Sequence, residues 1–280
     1  MSEYKIEYGN GPYELDYYCC SNKKIPALTR KNADFIEAIV RLDSNYAKDF
    51  EASYKPSKDF DPVINCTSSN KKYCGSTAYW FNEMTKQNCD FKRCVLGAVI
   101  SIDSTNSTHL EASINGRKRM CEIICKYCTN YAELVGMLNV HFNPSNYDHL
   151  LSLLTTQFES KKGGTRFNLS FASKFCSYAS KFLESDNSYS KYDNVVSDAL
   201  PEYVWIYLGE KRKKGEYKIN THKNICINKK EDYKHRLDIF YKYSLDIDRI
   251  IKKLSENGIN INKDEFDHII WYGTKGKQKW

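Results

Sequence analysis

Apolar residues recur at helical spacing over most of the chain. Between residues 32 and 46, Phe35, Ile36, Ile39, Val40 and Leu42 share one face at 100° per residue, which predicts a helix. A second helix is predicted over residues 76–86, carrying Tyr79, Trp80 and Phe81. The stretch "CVLGAVISID", residues 94–103, is short, apolar and rich in β-branched side chains, so it reads first as a strand, with a buried helix as the alternative at this length. The segments "MCEIICKYC", "YAELVGMLNVHF" and "YDHLLSLLTTQF" read as helices, the last two separated by Asn143-Pro144-Ser145. Residues 233–258 predict a long helix stopping at Gly258, and "NKDEFDHIIWYG" a short one with an Asn/Asp start. "YVWIYLG", 203–209, fits strand or helix. Residues 1–30 show no clear period and are expected to be irregular, and residues 53–75, with two prolines, to be loop. The pattern predicts a mainly α fold with little or no sheet, either in subdomains 1–115 and 116–280 or as one compact unit.

One stretch draws attention within that pattern: "SFASKFCSYASKFLESDNSYSKYD", residues 170–193. On a helix, Phe171, Phe175, Tyr178 and Phe182 form one face, Lys174 sits at its edge beside Tyr178, and serines 170, 173, 177 and 180 lie opposite. A lysine at such a border ordinarily buries its methylenes and keeps the ammonium in water. Asp193, just before an apolar segment, reads as a helix N-cap.

Composition and charge add a direction. With 280 residues and a hydrophobic fraction of 41%, the chain has enough material for a core in one large domain or two ordinary ones. Its 22 tyrosines suit a polar-lined core or a surface on which bases stack. Residues 161–280 hold 24 Lys/Arg against 16 Asp/Glu, whereas residues 1–160 hold 18 against 19, so the +7 net charge belongs to the second half. Lys161-Lys162, Lys211 to Lys214 and Lys275 to Lys279 would attract a polyanion. No charged-then-apolar leader and no apolar run near 18 residues is present, which argues for a cytoplasmic protein rather than a secreted or membrane one. Eleven cysteines at irregular spacing suit reduced thiols better than a disulfide framework. A monomer without a cofactor or metal is expected.

Residues 160–200 resemble the helix-hairpin-helix DNA glycosylases, in particular the branch that excises 8-oxoguanine and its bacterial relatives. Gly163-Gly164-Thr165 resembles the glycine-rich hairpin, "SFASKF" the helix that carries a lysine, and "YSKYDNVV" the segment with an aspartate 19 residues further on. The resemblance implies a helical fold acting on double-stranded DNA that contains a damaged or modified base, in base-excision repair or in defence against modified phage DNA. The target nucleotide would be flipped out of the stack. Lys174, partly desolvated beside Phe175 and Tyr178, would attack the anomeric carbon, form a Schiff base with the opened sugar and permit β-elimination, an AP-lyase step. Asp193 would stabilise the cationic sugar and move protons. Backbone amides at Gly163, Gly164 and Thr165, just before a helix, would hold a phosphate, with Lys161, Lys162 and Arg166 alongside. Tyr178, Trp80, Phe81 or Trp271 would stack on the extruded base. In the family the lysine follows the hairpin glycines almost directly, whereas "TRFNLSFAS" separates Gly164 from Lys174 here. With a remodelled hairpin Lys174 keeps its role; otherwise Asp193 activates water alone, and Lys181 and Arg166 are the reserve cations.

Two other readings stand beside this one. A non-catalytic DNA-binding module would use the same basic half. Cys121, Cys125 and Cys128 have a Cys-x3-Cys-x2-Cys spacing that resembles the radical S-adenosylmethionine motif, whose three thiolates ligate an iron–sulfur cluster. That family carries the motif on a loop after a strand, whereas these cysteines sit at i, i+4 and i+7, one stripe of a helix that suits buried thiols. For zinc, His222 and Cys226 are too isolated to complete a set.

Overall fold

A computed structural model describes residues 5–11, 14–20, 23–42, 44–67, 72–106, 108–155, 157–159, 161, 165–219 and 229–275. Lys162, Gly163, Gly164, His222, Cys226 and the basic run beyond Lys275 lie outside the described residues. The chain is mainly helical, 59% helix and 6% strand, with twelve α-helices among the described residues. In chain order the elements are β1 (Lys5–Glu7), β2 (Tyr17–Cys20), β3 (Lys23–Pro26), α1 (Arg30–Leu42), α2 (Ser44–Phe50), α3 (Pro62–Asn65), α4 (Thr77–Met84) and α5 (Phe91–Asn106). They continue with a 3-10 turn (Leu110–Ala112), α6 (Gly116–Tyr127), α7 (Tyr131–Leu138), α8 (Leu150–Leu154), β4 (Gln157–Glu159), β5 (Thr165–Phe167), α9 (Leu169–Phe182), α10 (Asn194–Leu208), α11 (Lys229–Glu256) and α12 (Lys263–Lys275). None of the described helices is long and apolar enough to cross a membrane.

Two compact units make up the chain, and they interleave along it. One comprises residues 44–191 and 220–238, the other residues 1–43, 192–219 and 239–280.

In the second of these, the described residues before α1 are not all irregular: β1, β2 and β3 form an antiparallel sheet in that order, with Ile6 opposite Tyr18 and Tyr18 opposite Ile25. Strands of three or four residues are too short for a period of two to show in sequence. A buried asparagine ties this region down. Asn32 of α1 accepts from the Asp16 amide at 2.8 Å and donates to the carbonyls of Asp16 and Ala27 at 2.8 and 2.7 Å. The apolar face of α1 (Phe35, Ile36, Ile39, Val40) packs on α12, whose Phe266, Ile269 and Ile270 are buried. "YVWIYLG" is helical, within α10, which ends at Gly209 in the left-handed region (φ +67°), a conformation that costs glycine little.

In the unit of residues 44–191 and 220–238, α5 is the central element. The expected strand at 94–103 is helix: every residue from Cys94 to Asp103 is buried, so the segment is apolar all round and carries no amphipathic signal. Its four β-branched residues favour strand locally, and burial against α4, α6 and α9 overrides that preference. Gly97 lets α4 approach, since a Cβ there would stand 2.2 Å from the Trp80 indole. The carboxyl end of α5 is anchored by Asp103, which is fully buried. It accepts from Thr108 Oγ1 and the Leu110 amide at 2.7 Å, the Glu111 amide at 3.1 Å and Arg117 Nε at 2.8 Å. Further along, α8 is capped by His149, whose Nδ1 accepts from the Leu151 amide at 3.1 Å while Nε2 lies 3.0 Å from the Val140 carbonyl.

Candidate active site

Lys174 does not snorkel. From Leu169 to Ser180 every side chain of α9 except half-buried Ser170 is buried, the remaining serines included, because the helix packs on α4, α5, α7 and α8. Lys174 is 9% exposed, and its Nζ lies 3.3 Å from the Asn106 carbonyl and 3.5 Å from Ser170 Oγ. Taking an amine out of water requires hydrogen-bonding partners, and the end of α5 provides one.

Around that contact lies a polar cluster inside an aromatic core. Tyr178, one turn beyond Lys174, donates its hydroxyl to Asn106 Oδ1 at 2.9 Å. Asn106 Nδ2 stands 3.4 and 3.3 Å from the two oxygens of Asp49, on α2. Asp49 also accepts from the hydroxyls of Thr77 and Thr105. Burial pushes the Asp49 carboxyl above the ordinary carboxylate range, while Thr105, the Lys191 ammonium, Thr77 and Asn106 act in the opposite direction. Lys191, only 7% exposed, places its ammonium 4.6 Å from the Tyr178 ring centre and 5.5 Å from that of Phe50. Lys181 stands over Phe50 at 4.6 Å. Asp49, Asn106 and Lys191 were not marked by the sequence pattern. They are far apart along the chain and sit in polar stretches that read as surface.

Asp193 belongs to the other unit, which resumes at Tyr192. It is the N-cap of α10, in extended backbone geometry, and its carboxylate accepts from the Val195 amide at 2.7 Å. The expected helix start is therefore present, and the half-buried side chain retains acceptor capacity beyond the cap.

The basic hairpin differs from expectation. Thr165 and Arg166 do not open a helix: they lie in β5, paired antiparallel with β4 so that Glu159 faces Thr165 and Phe158 faces Arg166, and α9 begins only at Leu169. The physical reason lies in Phe158 and Phe167, both buried, which need an extended pair to reach the core and then a separate helix for α9. Lys161 is exposed, with its amide on the Ala112 carbonyl at 2.9 Å. Burial holds the half-buried Arg166 guanidinium below its usual value, against the pull of Asp103.

Of the aromatics considered for stacking, Trp80, Phe81 and Tyr178 are buried in the same unit as Lys174, Trp80 with its indole N–H on the Cys74 carbonyl at 2.6 Å. Trp271 is half-buried in the other unit, under the Lys275 ammonium at 4.7 Å. The cysteine triplet lies on α6 and its cap rather than on a loop. Cys121 and Cys125 face each other with sulfurs 3.9 Å apart, and the thiol Cys121 donates lowers the Cys125 value. Cys128 turns instead to Met137 Sδ at 3.3 Å. Among the described residues no group of three His, Cys, Asp or Glu is placed to hold a metal ion.

No family model, no curated protein and no solved structure matches the chain.

Proposed function

We propose that this chain is a DNA glycosylase that excises a damaged or modified base from duplex DNA, with Lys174 as nucleophile and Asp193 as the carboxylate that stabilises the reacting sugar. The observation that carries this reading is the lysine itself: its amine is withdrawn from water into the core and held by a carbonyl and a hydroxyl, on a helix followed 19 residues later by an aspartate at a helix start. Buried lysines are costly to stability, and chemistry is a reason to keep one.

In the proposed reaction the target nucleotide leaves the stack. The neutral Lys174 amine bonds to C1′ as the bond from C1′ to the base breaks, and the base departs with a proton. The resulting N,O-acetal opens as the C1′–O4′ bond breaks and the remaining Nζ proton passes to O4′, leaving an imine between Nζ and C1′. Loss of a C2′ proton then expels the 3′ phosphate by β-elimination. Asp193 offers negative charge to the oxocarbenium-like sugar and carries protons. Lys161, Lys162 and Arg166 contact phosphates and contribute salt-dependent affinity. Oxidised guanine is the first substrate to try, followed by other lesions and by hypermodified phage bases.

The test is borohydride trapping on duplexes carrying a panel of such bases. A covalent protein–DNA species that disappears in Lys174→Gln supports the assignment. Base release that persists in Lys174→Gln and is lost in Asp193→Asn moves the chemistry to Asp193 and water, giving a monofunctional enzyme. No release from any duplex, together with salt-sensitive DNA binding, leaves a non-catalytic binding module.

A further inference from the structure

Asn106 is the last residue of α5, so its carbonyl is one of those a helix leaves without an intrahelical partner. Lys174 Nζ occupies that position, 3.3 Å away. The side chain of Asn106 is committed on both sides. Its Oδ1 accepts from Tyr178 at 2.9 Å, and its Nδ2 is 2.9 Å from Thr105 Oγ1 and 3.3 Å from the nearer oxygen of Asp49. Asp49 in turn is held by the Thr77 hydroxyl at 3.2 Å, and Thr77 Oγ1 lies 3.0 Å from Ser101 Oγ, which donates to the Gly75 carbonyl at 3.1 Å. A continuous chain of fixed polar groups thus runs from α2 and α4 through the end of α5 to α9.

We propose that Asn106 is the positioning residue for the Lys174 amine, and that Asp49 and Tyr178 clamp Asn106 for that task; the proposal rests on the reading of Lys174 as nucleophile. A lysine has four rotatable bonds, and an attack on C1′ requires one of its many directions. The Asn106 carbonyl and Ser170 Oγ take two of the amine's directions. Both of these acceptors are neutral, so the amine can leave them for a substrate without separating opposite charges at either one. A helix-terminal carbonyl on its own is free to tilt. The Asn106 amide, gripped from α2 and α9, removes that freedom, and a group held by its neighbours' hydrogen bonds keeps the geometry a reaction needs.

The experiment compares native protein with Asn106→Ala, Asp49→Asn and Tyr178→Phe in two readouts. The first is single-turnover borohydride trapping against DNA concentration. Asn106→Ala is expected to lower the trapping rate at saturating DNA about ten- to hundred-fold, with the half-saturating DNA concentration unchanged. Tyr178→Phe, which removes one hydroxyl, is expected to lower it in the same sense by less. A structural role alone would move stability and not separate rate from affinity in this way. The second readout needs no substrate: the side-chain amine resonance of Lys174 in protein labelled with 15N-lysine, assigned by its loss in Lys174→Gln. It is expected to shift in Asn106→Ala and in Tyr178→Phe while the Lys191 signal persists. If either readout is unchanged in both variants, the proposal is overturned. Should Asn106→Ala fail to fold, Tyr178→Phe and Asp49→Asn decide the matter. If the native protein traps no substrate of the panel, the glycosylase reading fails separately, and the resonance alone decides whether Asn106 holds the amine.

Discussion

Replacing Asp103 by alanine should be among the most damaging single changes in the unit formed by residues 44–191 and 220–238. The carboxylate has no exposed surface and serves four donors: the Thr108 hydroxyl, the amides of Leu110 and Glu111, and Arg117 Nε. Arg117 is itself 9% exposed, so deletion of its partner strands a buried guanidinium, a loss of about 3–5 kcal/mol. Glu111 retains one contact to Arg117 at 2.8 Å but is 62% exposed, and so offsets little. The buried Leu110 amide adds about 1–3 kcal/mol when left without an acceptor. A combined loss of about 4–8 kcal/mol is a large part of the ~5–15 kcal/mol that holds a typical domain together. At roughly 2–4 °C per kcal/mol for a domain of this size, melting should fall by about 10–30 °C. Urea denaturation followed by tryptophan fluorescence, with thermal melts alongside, measures this directly. The double variant Asp103→Leu with Arg117→Met should recover part of the loss, because it leaves no buried charge unpaired. A single variant within about 1 kcal/mol of native, or a double variant no better than the single, would refute the argument.

Three further outcomes follow from local geometry. His149 caps α8 through Nδ1, which must be unprotonated to accept from the Leu151 amide, and burial holds its value below the usual one. A depressed histidine contributes stability that is present above its unfolded value, about 6.5, and lost as pH falls below it. Melting temperature should therefore drop between about pH 7 and pH 5, and His149→Asn, which keeps an acceptor at the cap, should flatten that part of the profile; an unchanged slope would count against it. Asp193→Asn should keep the cap and the stability of α10 while abolishing base release, whereas Asp193→Ala should cost about 1 kcal/mol in addition; base release at the native rate by the Asn variant would remove Asp193 from the chemistry. Gly97→Ala, despite a helix-propensity gain of about 1 kcal/mol, should destabilise by about 1–3 kcal/mol because its Cβ meets the Trp80 ring at 2.2 Å; a stabilised variant in chemical denaturation would show that α4 and α5 can separate cheaply.

The sequence by itself determined the elements that bury one face against one neighbour. For α1, the apolar spacing of Phe35, Ile36, Ile39 and Val40 is the face that meets α12, and Ser76 caps α4 at its expected start through its bond from the Tyr79 amide. Asp193 likewise sits at the helix start its neighbours predict, since a cap is a matter of a few adjacent residues. Tertiary structure alone decided the rest. Helix α5 is buried on every side, so its pattern lost the period by which a helix is read, and β1 to β3 are too short to show theirs. The same holds for Lys174: its place on the edge of an aromatic stripe reads as a surface position until α4, α5, α7 and α8 close over α9. The carbonyl that receives its amine, and the Asp49 and Tyr178 that hold Asn106, come from three helices. Such a contact depends on how helices meet, which local spacing does not encode.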